Sequence, residues 1–264
     1  MTYFEAIFLG ALQGATEFLP VSSSGHLAIA QHLLPDFSQP GVFFDVLLHV
    51  GTMIAVILYF HRELKKLATA PFSKAEDAPL YRRLLLLLIA GSVPTAIIGL
   101  TFKDFFEGLF ENIPVVATML LVTGTLLFVS ERLHRGNRKE EELTLRDALL
   151  TGLVQGCAII PGISRSGSTI AAMLLRGIDG ETAARFSFLL ALPAVFGAAI
   201  LSLRHLDAVA KEQLPLYLTG AAVAFIVGLL SIHFLMAVVR KRRLIGFAIY
   251  CWLAGSLILL FSLF

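Results

Sequence analysis

Cysteine and charge are both scarce in this chain. Only two cysteines occur, Cys157 and Cys251, each in an apolar stretch without metal-ligand spacing, so neither a disulfide framework nor a zinc site is expected. Charged residues make up 15% of the 264 residues and hydrophobic residues 57%, with a mean hydropathy of +0.81. A soluble domain of this length is far less apolar. We therefore expect an all-α integral membrane protein with a single membrane domain over residues 1–264.

Other missing features narrow the class further. Residues Met1 to Leu19 lack the positively charged start and small-residue cleavage site of a secretory signal, so we expect them to remain in the mature protein. No low-complexity linker occurs, and the polar stretch Gly136 to Glu142 is interpreted as a loop. We expect lipid as the surrounding medium and no nucleic-acid partner. A homodimer is one assembly open to such a helical bundle.

Six hydrophobic runs are near the ~20 residues that a helix needs to cross a hydrocarbon layer of about 30 Å. Two further stretches, Phe4 to Leu34 and Ala148 to Leu175, are interrupted midway by Pro, Ser and Gly. A helix broken at membrane depth is tolerated only inside protein or beside a water-filled cavity. We predict two re-entrant helix hairpins there, the alternative being a simple bundle of eight spans. The six predicted transmembrane helices are residues 42–60, 84–102, 113–131, 186–203, 215–239 and 244–264.

The two interrupted stretches repeat each other. The Gln-Gly pair at residues 13–14 recurs at 155–156, and the Ser-x-Ser-Gly pattern at 22–25 recurs at 164–167, both at an offset of 142 positions without gaps. Spaced matches of this kind do not arise easily by chance. The pattern predicts a duplicated membrane unit.

The distribution of Lys and Arg orients the two copies. These residues cluster at 62–83, 132–146 and 240–243, which the positive-inside rule places in the cytoplasm. No Lys or Arg precedes Arg62, so the first hairpin enters from outside and the second from inside. Repeat one, about 1–131, and repeat two, about 144–264, are then inverted, an architecture in which broken helices form a site near the midplane.

The first hairpin carries an intramembrane carboxylate. Gln13 and Glu17 are four positions apart and share one helix face. Because a carboxylate in this setting costs several kcal/mol without a partner, Glu17 is a functional candidate.

A serine cluster follows Pro20, with the sequence Val-Ser-Ser-Ser-Gly-His at 21–26. The proline ends one helix, the serines can cap the next, and the free N–H groups of a helix start attract anions such as phosphate. Three hydroxyls and His26 beside a carboxylate also supply a nucleophile, a proton carrier and a base or metal ligand. The plainer alternative is that the serines only cap the helix and that His26 binds a backbone carbonyl.

The second hairpin contains Pro-Gly-Ile-Ser-Arg-Ser-Gly-Ser-Thr at 161–169. Arg165 presents a planar fork that matches phosphate oxygens in two contacts. A purely structural arginine would need a buried carboxylate, and Glu17 of the other hairpin is the only obvious one.

The duplicated hairpins have diverged in their chemistry. Glu17 is matched by Ile159, and His26 by Ser168, so acid-base groups occur in one copy alone. Arg165 is matched by a serine, Ser23 or Ser24, depending on a one-residue shift at the prolines. Together the two hairpins predict one asymmetric site for phosphate chemistry.

These motifs resemble those of the undecaprenyl-diphosphate phosphatase family, the bacterial bacitracin-resistance proteins. The family motifs (Glu/Gln)-x-x-x-Glu and Pro-Gly-x-Ser-Arg-Ser-x-x-Thr are both present in full, and the resemblance extends over essentially the whole chain. It implies a hydrolase of the bacterial cytoplasmic (inner) membrane that removes the terminal phosphate of undecaprenyl diphosphate. That reaction recycles the C55 lipid carrier for peptidoglycan synthesis and confers bacitracin resistance. The resemblance also implies a divalent cation, Mg²⁺ or Ca²⁺, and a site facing the outer side.

The resemblance and the residue chemistry together suggest roles. Ser23 matches the proposed nucleophile of the family, His26 would shuttle a proton, and Arg165 would hold the diphosphate. Glu17 would bind the metal or act as a base, with Gln13 as a tentative second metal ligand because this chain has Gln where the family also allows Glu. Direct attack by water stays open. The expected substrate-binding residues are Ser22, Ser24, Gly25, Ser164, Ser166, Gly167 and Thr169.

Two further points stay open at this level. Inverted repeats with broken helices are also a transporter design, so the same site could carry a polyprenyl phosphate or another anion across the membrane. Such transport needs Arg165 and a path to both faces, whereas hydrolysis needs reacting groups. Asp45 and His49, four apart at the start of an apolar run, either support the site or make an interhelical hydrogen bond.

Overall fold

The computed structural model describes residues 1–34, 43–110, 112–202, 213–241 and 243–262. Within these ranges the chain is helical and contains no β-strand, which confirms the all-α prediction. Residues 42, 203, 263 and 264 of the predicted spans, and Arg242 of the third cationic loop, lie outside the described residues. The α-helices are α1 (Tyr3–Phe18), α2 (Ser23–Leu33), α3 (Phe43–Tyr59), α4 (His61–Thr69), α5 (Ala78–Thr101), α6 (Lys103–Leu109), α7 (Ile113–Leu133), α8 (Leu145–Cys157), α9 (Arg165–Leu175), α10 (Gly180–Ser202), α11 (Leu214–Arg240) and α12 (Ile245–Phe261).

Both predicted hairpins are present as helix pairs, α1 with α2 and α8 with α9. The first helix of each pair starts with a capping box, in which Thr2 and Glu5 cap α1 and Thr144 and Asp147 cap α8. Helices α1, α2, α8 and α9 have 16, 11, 13 and 11 residues, so each is shorter than the ~20 residues needed for a span. The break in the first pair falls at Pro20, because the residue before a proline is driven into extended backbone.

The six predicted spans coincide with α3, α5, α7, α10, α11 and α12. Four of these, α5, α7, α10 and α11, are long and apolar enough to cross a membrane alone. Helix α3 reaches that length only together with α4, from which it is bent by 78°, and α12 has 17 residues. A multi-pass membrane protein is therefore confirmed, while the count of six spans stays a prediction.

Two of these helices begin several residues before the predicted spans. Helix α5 begins at Ala78 rather than at 84, and α10 begins at Gly180 rather than at 186. The hydropathy pattern marks where an apolar run starts, but both helices begin before it and include charged side chains such as Arg82 and Arg185 ahead of that run.

Close glycine contacts join the first helix of each hairpin to a long helix. Gly10 of α1 packs on Gly220 of α11, and Gly152 of α8 packs on Gly91 of α5, so closely that an added Cβ would overlap the facing backbone oxygen. Small residues allow such close approach of helices in membranes. Gly10 and Gly152 are also equivalent in the sequence repeat. The paired crossings are what a duplication predicts, and the boundaries 1–131 and 144–264 stay a prediction.

The outer faces of the bundle are strongly apolar. Large side chains such as Phe4, Leu230 and Leu253 are at least two-thirds exposed. Apolar exposure on this scale is rare in soluble monomers, and here it gives the helices a lipid-compatible surface. Several polar side chains are instead buried between the helices, and Gln13, Glu17, Ser22, Ser23, Ser164 and Ser166 lie where the two hairpins meet.

Candidate active site

The second helix of each hairpin begins with the same serine cap. Ser22 Oγ accepts a hydrogen bond from the Gly25 amide at 3.2 Å, and Ser164 Oγ accepts one from the Gly167 amide at 3.0 Å. The two caps are separated by the same gapless offset of 142 positions as the flanking Gln-Gly pairs. Each cap satisfies a backbone donor that the helix start would otherwise leave unpaired.

The first helical residues are therefore equivalent in the two hairpins. These are Ser23 in α2 and Arg165 in α9. The sequence left the choice between Ser23 and Ser24 open, and the helix starts favour Ser23. One hairpin thus has a hydroxyl and the other a guanidinium at the first residue of its second helix.

Glu17 lies between these two residues and is only 4% exposed. Its Oε2 accepts a hydrogen bond from Ser23 Oγ at 2.6 Å and one from Gln13 Nε2 at 2.9 Å. Its Oε1 accepts a hydrogen bond from Arg165 Nη2, which forms an ion pair across the two hairpins. A carboxylate this buried requires such partners, and the contact brings a hydroxyl and its acceptor together with a cation.

His49 of α3 also belongs to this site. Its Nε2 lies 3.4 Å from Glu17 Oε2, and its Nδ1 lies 2.8 Å from the backbone carbonyl of Asp45. The Asp45 side chain contacts a different residue: its Oδ1 accepts a hydrogen bond from Gln31 Nε2 of α2 at 2.5 Å. Of the two residues whose role the sequence left open, His49 thus contacts the central carboxylate and Asp45 connects α2 to α3.

His26 is held by two contacts that involve neither Ser23 nor Glu17. Its Nδ1 is 2.8 Å from the backbone carbonyl of Ser22, and its Nε2 is 2.7 Å from the hydroxyl of Tyr250 on α12. The sequence offered a contact with a backbone carbonyl as the alternative to a catalytic role for His26. That contact is present, together with the contact to Tyr250. Sequence reasoning missed Tyr250, since nothing local marks an aromatic residue 224 positions away as a partner of His26.

The hairpin tips contact each other directly. Ser22 Oγ donates to the Ile163 carbonyl at 3.3 Å, and Ser166 Oγ donates to the Leu19 carbonyl at 3.4 Å. Ser22 also has a φ of 68°, a left-handed conformation that is strained for a residue other than glycine. These contacts fix the distance between the two helix starts.

The remaining predicted substrate-binding residues differ in position. Ser24 Oγ lies 3.3 Å from Ser22 Oγ at the tip of the first hairpin. Thr169 is fully buried, and its hydroxyl lies 2.8 Å from the Arg165 carbonyl and within hydrogen-bond distance of Ser187 on α10. Thr169 therefore connects α9 to α10, and its predicted contact with substrate stays a prediction.

The match to known proteins extends over almost the whole chain. Residues 6–257 match the family model described as "Bacitracin resistance protein BacA". The undecaprenyl-diphosphatase of Syntrophotalea carbinolica is 61% identical over 257 residues, covering 97% of this chain and 98% of that protein. The undecaprenyl-diphosphatase of Halothermothrix orenii is 44% identical over 264 residues and 99% of both chains. That of Desulforapulum autotrophicum is 43% identical over 267 residues, 97% of this chain and 96% of the relative. The chain therefore belongs to the BacA family of bacitracin resistance proteins.

Proposed function

We propose that this chain is an undecaprenyl-diphosphatase, a hydrolase that removes the terminal phosphate of undecaprenyl diphosphate in the bacterial cytoplasmic membrane. Family membership and the names of the relatives support the substrate. The observation that carries the reaction is the 2.6 Å hydrogen bond from Ser23 to Glu17, on a carboxylate that is also paired with Arg165. The product, undecaprenyl phosphate, is the lipid carrier of cell-wall synthesis, and its recycling confers bacitracin resistance.

In the first step Ser23 acts as nucleophile. Glu17 accepts the hydroxyl proton through the hydrogen bond already present, while Ser23 Oγ forms a bond to the terminal phosphorus. The bond from that phosphorus to the bridging oxygen breaks, and its electron pair leaves with undecaprenyl phosphate. Ser23 is left as a phosphoserine.

In the second step water attacks the phosphoserine. The water proton passes to His26, the bond from phosphorus to Ser23 Oγ breaks, and Glu17 returns its proton to Ser23. His26 then releases the proton to solvent as inorganic phosphate departs. If water instead attacks the diphosphate directly, Glu17 takes the proton from that water and no phosphoserine forms.

The diphosphate itself is held by positive charge from both hairpins. Arg165 has five N–H donors in a planar fork, and only Nη2 is directed at Glu17. The starts of α2 and α9 add free amides and the positive ends of two helix dipoles. Phosphoryl transfer depends largely on such positioning and charge stabilisation.

A divalent cation, Mg²⁺ or Ca²⁺, fits the donor atoms at this site. Gln13 Oε1 is buried and has no hydrogen-bond partner among the described residues, although it lies on the side chain that donates to Glu17. Mg²⁺ in phosphoryl-transfer sites takes one or two carboxylates and completes its shell with substrate phosphates and water. Glu17 and Gln13 would hold the ion, and when bound it would neutralise charge on the diphosphate oxygens.

We further propose that the site opens to the outer side of the membrane and that the protein forms a homodimer. The absence of Lys and Arg before Arg62 supports an outer location for the ends of the first hairpin. Light scattering of the protein in detergent tests the dimer. Labelling of a cysteine introduced at Ser24 tests the orientation, when a membrane-impermeant thiol reagent is compared with a permeant one on intact cells.

The test of the function is phosphate release from a C15 or C55 isoprenyl diphosphate by purified protein, with and without divalent cation. We expect cation-dependent release that is lost in Glu17→Ala, Ser23→Ala and Arg165→Ala proteins that remain folded. A folded wild-type protein that binds the lipid but releases no phosphate would instead favour the transporter.

A further inference from the structure

Tyr250 of α12 is joined to His26 by two contacts. The Tyr250 hydroxyl lies 2.7 Å from His26 Nε2, and the two rings are stacked with centroids 5.7 Å apart and an interplanar angle of 11°. The Tyr250 side is open, since 45% of this residue is exposed. The pair therefore lies at the edge of the site.

The hydrogen-bonding roles in this pair follow from the other ring nitrogen. His26 Nδ1 lies 2.8 Å from the Ser22 carbonyl, which can only accept, so Nδ1 carries a proton. In the neutral imidazole Nε2 is then an acceptor, and the Tyr250 hydroxyl must donate to it. We propose that Tyr250 relays the proton of the hydrolytic water: its hydroxyl takes up that proton as it passes its own proton to the Nε2 lone pair of His26. This inference rests on the proposed role of His26 in the phosphatase reaction.

Helix α12 is fixed at the first hairpin by a neighbouring contact. Cys251, the next residue, is fully buried, and its Sγ lies 3.7 Å from the carbonyl of Pro20 at the hairpin tip. The hydroxyl of Tyr250 thus approaches His26 from a helix that is packed on the same tip. Its position is set by that packing as well as by the hydrogen bond itself.

The partner of α12 holds the second hairpin. Helix α7 packs closely on α12, where a Cβ added to Gly124 would lie 2.8 Å from the Ala248 carbonyl. On α7, Thr123 Oγ1 donates to the Gly162 carbonyl at 3.0 Å and accepts from the Ser164 amide at 2.9 Å. The α7 and α12 pair therefore sets the position of Tyr250 and of the start of α9, which bears Arg165.

Tyr250→Phe tests the proposal because it keeps the ring and removes only the hydroxyl. We expect kcat for a C15 isoprenyl diphosphate to fall about tenfold, a part of the roughly 10²- to 10⁴-fold that general acid-base catalysis supplies, with KM changed less than about twofold. In a His26→Gln background the same substitution should cause no further loss. Tyr59→Phe, which removes a hydroxyl outside the two hairpin tips, is the matched control and should retain wild-type kcat.

Nitrogen-15 NMR of histidine-labelled protein reads the contact directly. The wild-type spectrum should show His26 protonated at Nδ1 and hydrogen-bonded at Nε2. The Nε2 resonance should shift in Tyr250→Phe. The His26 resonances are assigned by their absence in His26→Gln. A proton on Nε2 in the wild type, or a wild-type kcat in folded Tyr250→Phe, would overturn the proposal. The NMR measurement needs no turnover, so it tests the contact between His26 and Tyr250 independently of activity. Absence of phosphate release by the wild type would instead reject the phosphatase.

Discussion

Ser23 and Arg165 occupy the same position in two hairpins and donate to opposite oxygens of one carboxylate. Each is the first residue of its helix, α2 or α9, and each follows a capping serine. Ser23 donates to Oε2 of Glu17 and Arg165 donates to Oε1. One hairpin thus supplies a hydroxyl and the other a cation, and both donate to Glu17.

Ser23→Ala should abolish turnover, whereas Ser24→Ala should not. Ser23 alone of the two donates to Glu17, while Ser24 Oγ contacts another serine. We expect a loss of about 10³-fold or more for Ser23→Ala and less than about tenfold for Ser24→Ala, measured as kcat/KM for phosphate release. Equal losses in the two variants would contradict the assignment of Ser23. Trapping of ³²P-labelled phosphoserine then separates the two-step route from direct attack by water.

Glu17→Gln should reduce both activity and stability. The substitution keeps the size of the side chain but leaves Arg165, which is largely buried, without its anionic partner. Breaking a buried ion pair from one side costs about 3–5 kcal/mol, and the partial exposure of Arg165 places the expected loss nearer the lower end. The melting temperature in detergent measures it. The double variant Glu17→Gln/Arg165→Gln should recover much of the melting temperature yet stay inactive, and a double variant as unstable as the single one would argue against the ion pair.

His49→Leu should lower kcat/KM by about tenfold. His49 Nε2 lies 3.4 Å from Glu17 Oε2, so leucine removes a polar neighbour from a buried carboxylate. His49→Gln offers a side-chain N–H in its place and should retain more activity. His233→Gln on α11 is the control, because His233 is exposed and lies outside the site. A His49→Leu protein with wild-type kinetics would show that the contact is not used.

Removal of divalent cations should stop phosphate release, and Gln13 should set how much cation is needed. Gln13 Oε1 is a buried acceptor beside Glu17, and a carboxylate at the same position binds hard cations more strongly. Gln13→Ala should raise the Mg²⁺ or Ca²⁺ concentration for half-maximal rate, and Gln13→Glu should lower it. The measurement is a cation titration after treatment with EDTA. Unchanged titrations in both variants would place the ion elsewhere.

Gly152→Ala should destabilise the protein without touching the site. A Cβ at this position would overlap the Gly91 backbone oxygen, so α8 and α5 would have to separate. Overpacking of this kind costs about 1–3 kcal/mol. Gly246→Ala is the matched control, because its Cβ would meet nothing within 4 Å and alanine favours a helix. The two melting temperatures in detergent should differ clearly, and equal values would contradict the close crossing.

Much of the fold and part of the site follow from the sequence because their causes are local. Apolar runs of about 20 residues predict helices in a membrane wherever they occur. A proline with serines and glycines in mid-run predicts a broken helix with capped, anion-attracting ends, as found at Pro20 and Ser164. The pairing of Arg165 with Glu17 was also predictable, because a buried guanidinium needs a carboxylate and the sequence offers few.

The tertiary structure decided the features that depend on helix rotation and on contacts between distant residues. His26 is turned toward Tyr250, 224 positions along the chain, and His49 is turned toward Glu17, which no pattern within either helix requires. Thr169 belongs to the family motif, yet the rotation of α9 directs its hydroxyl to Ser187. By itself the sequence determined the membrane medium, the two broken helices and the residue types at their tips, since hydropathy and backbone preference act over a few residues. Only the packing of α3, α7 and α12 around those tips decided which side chains meet, because a side chain's neighbours are set by how whole helices cross.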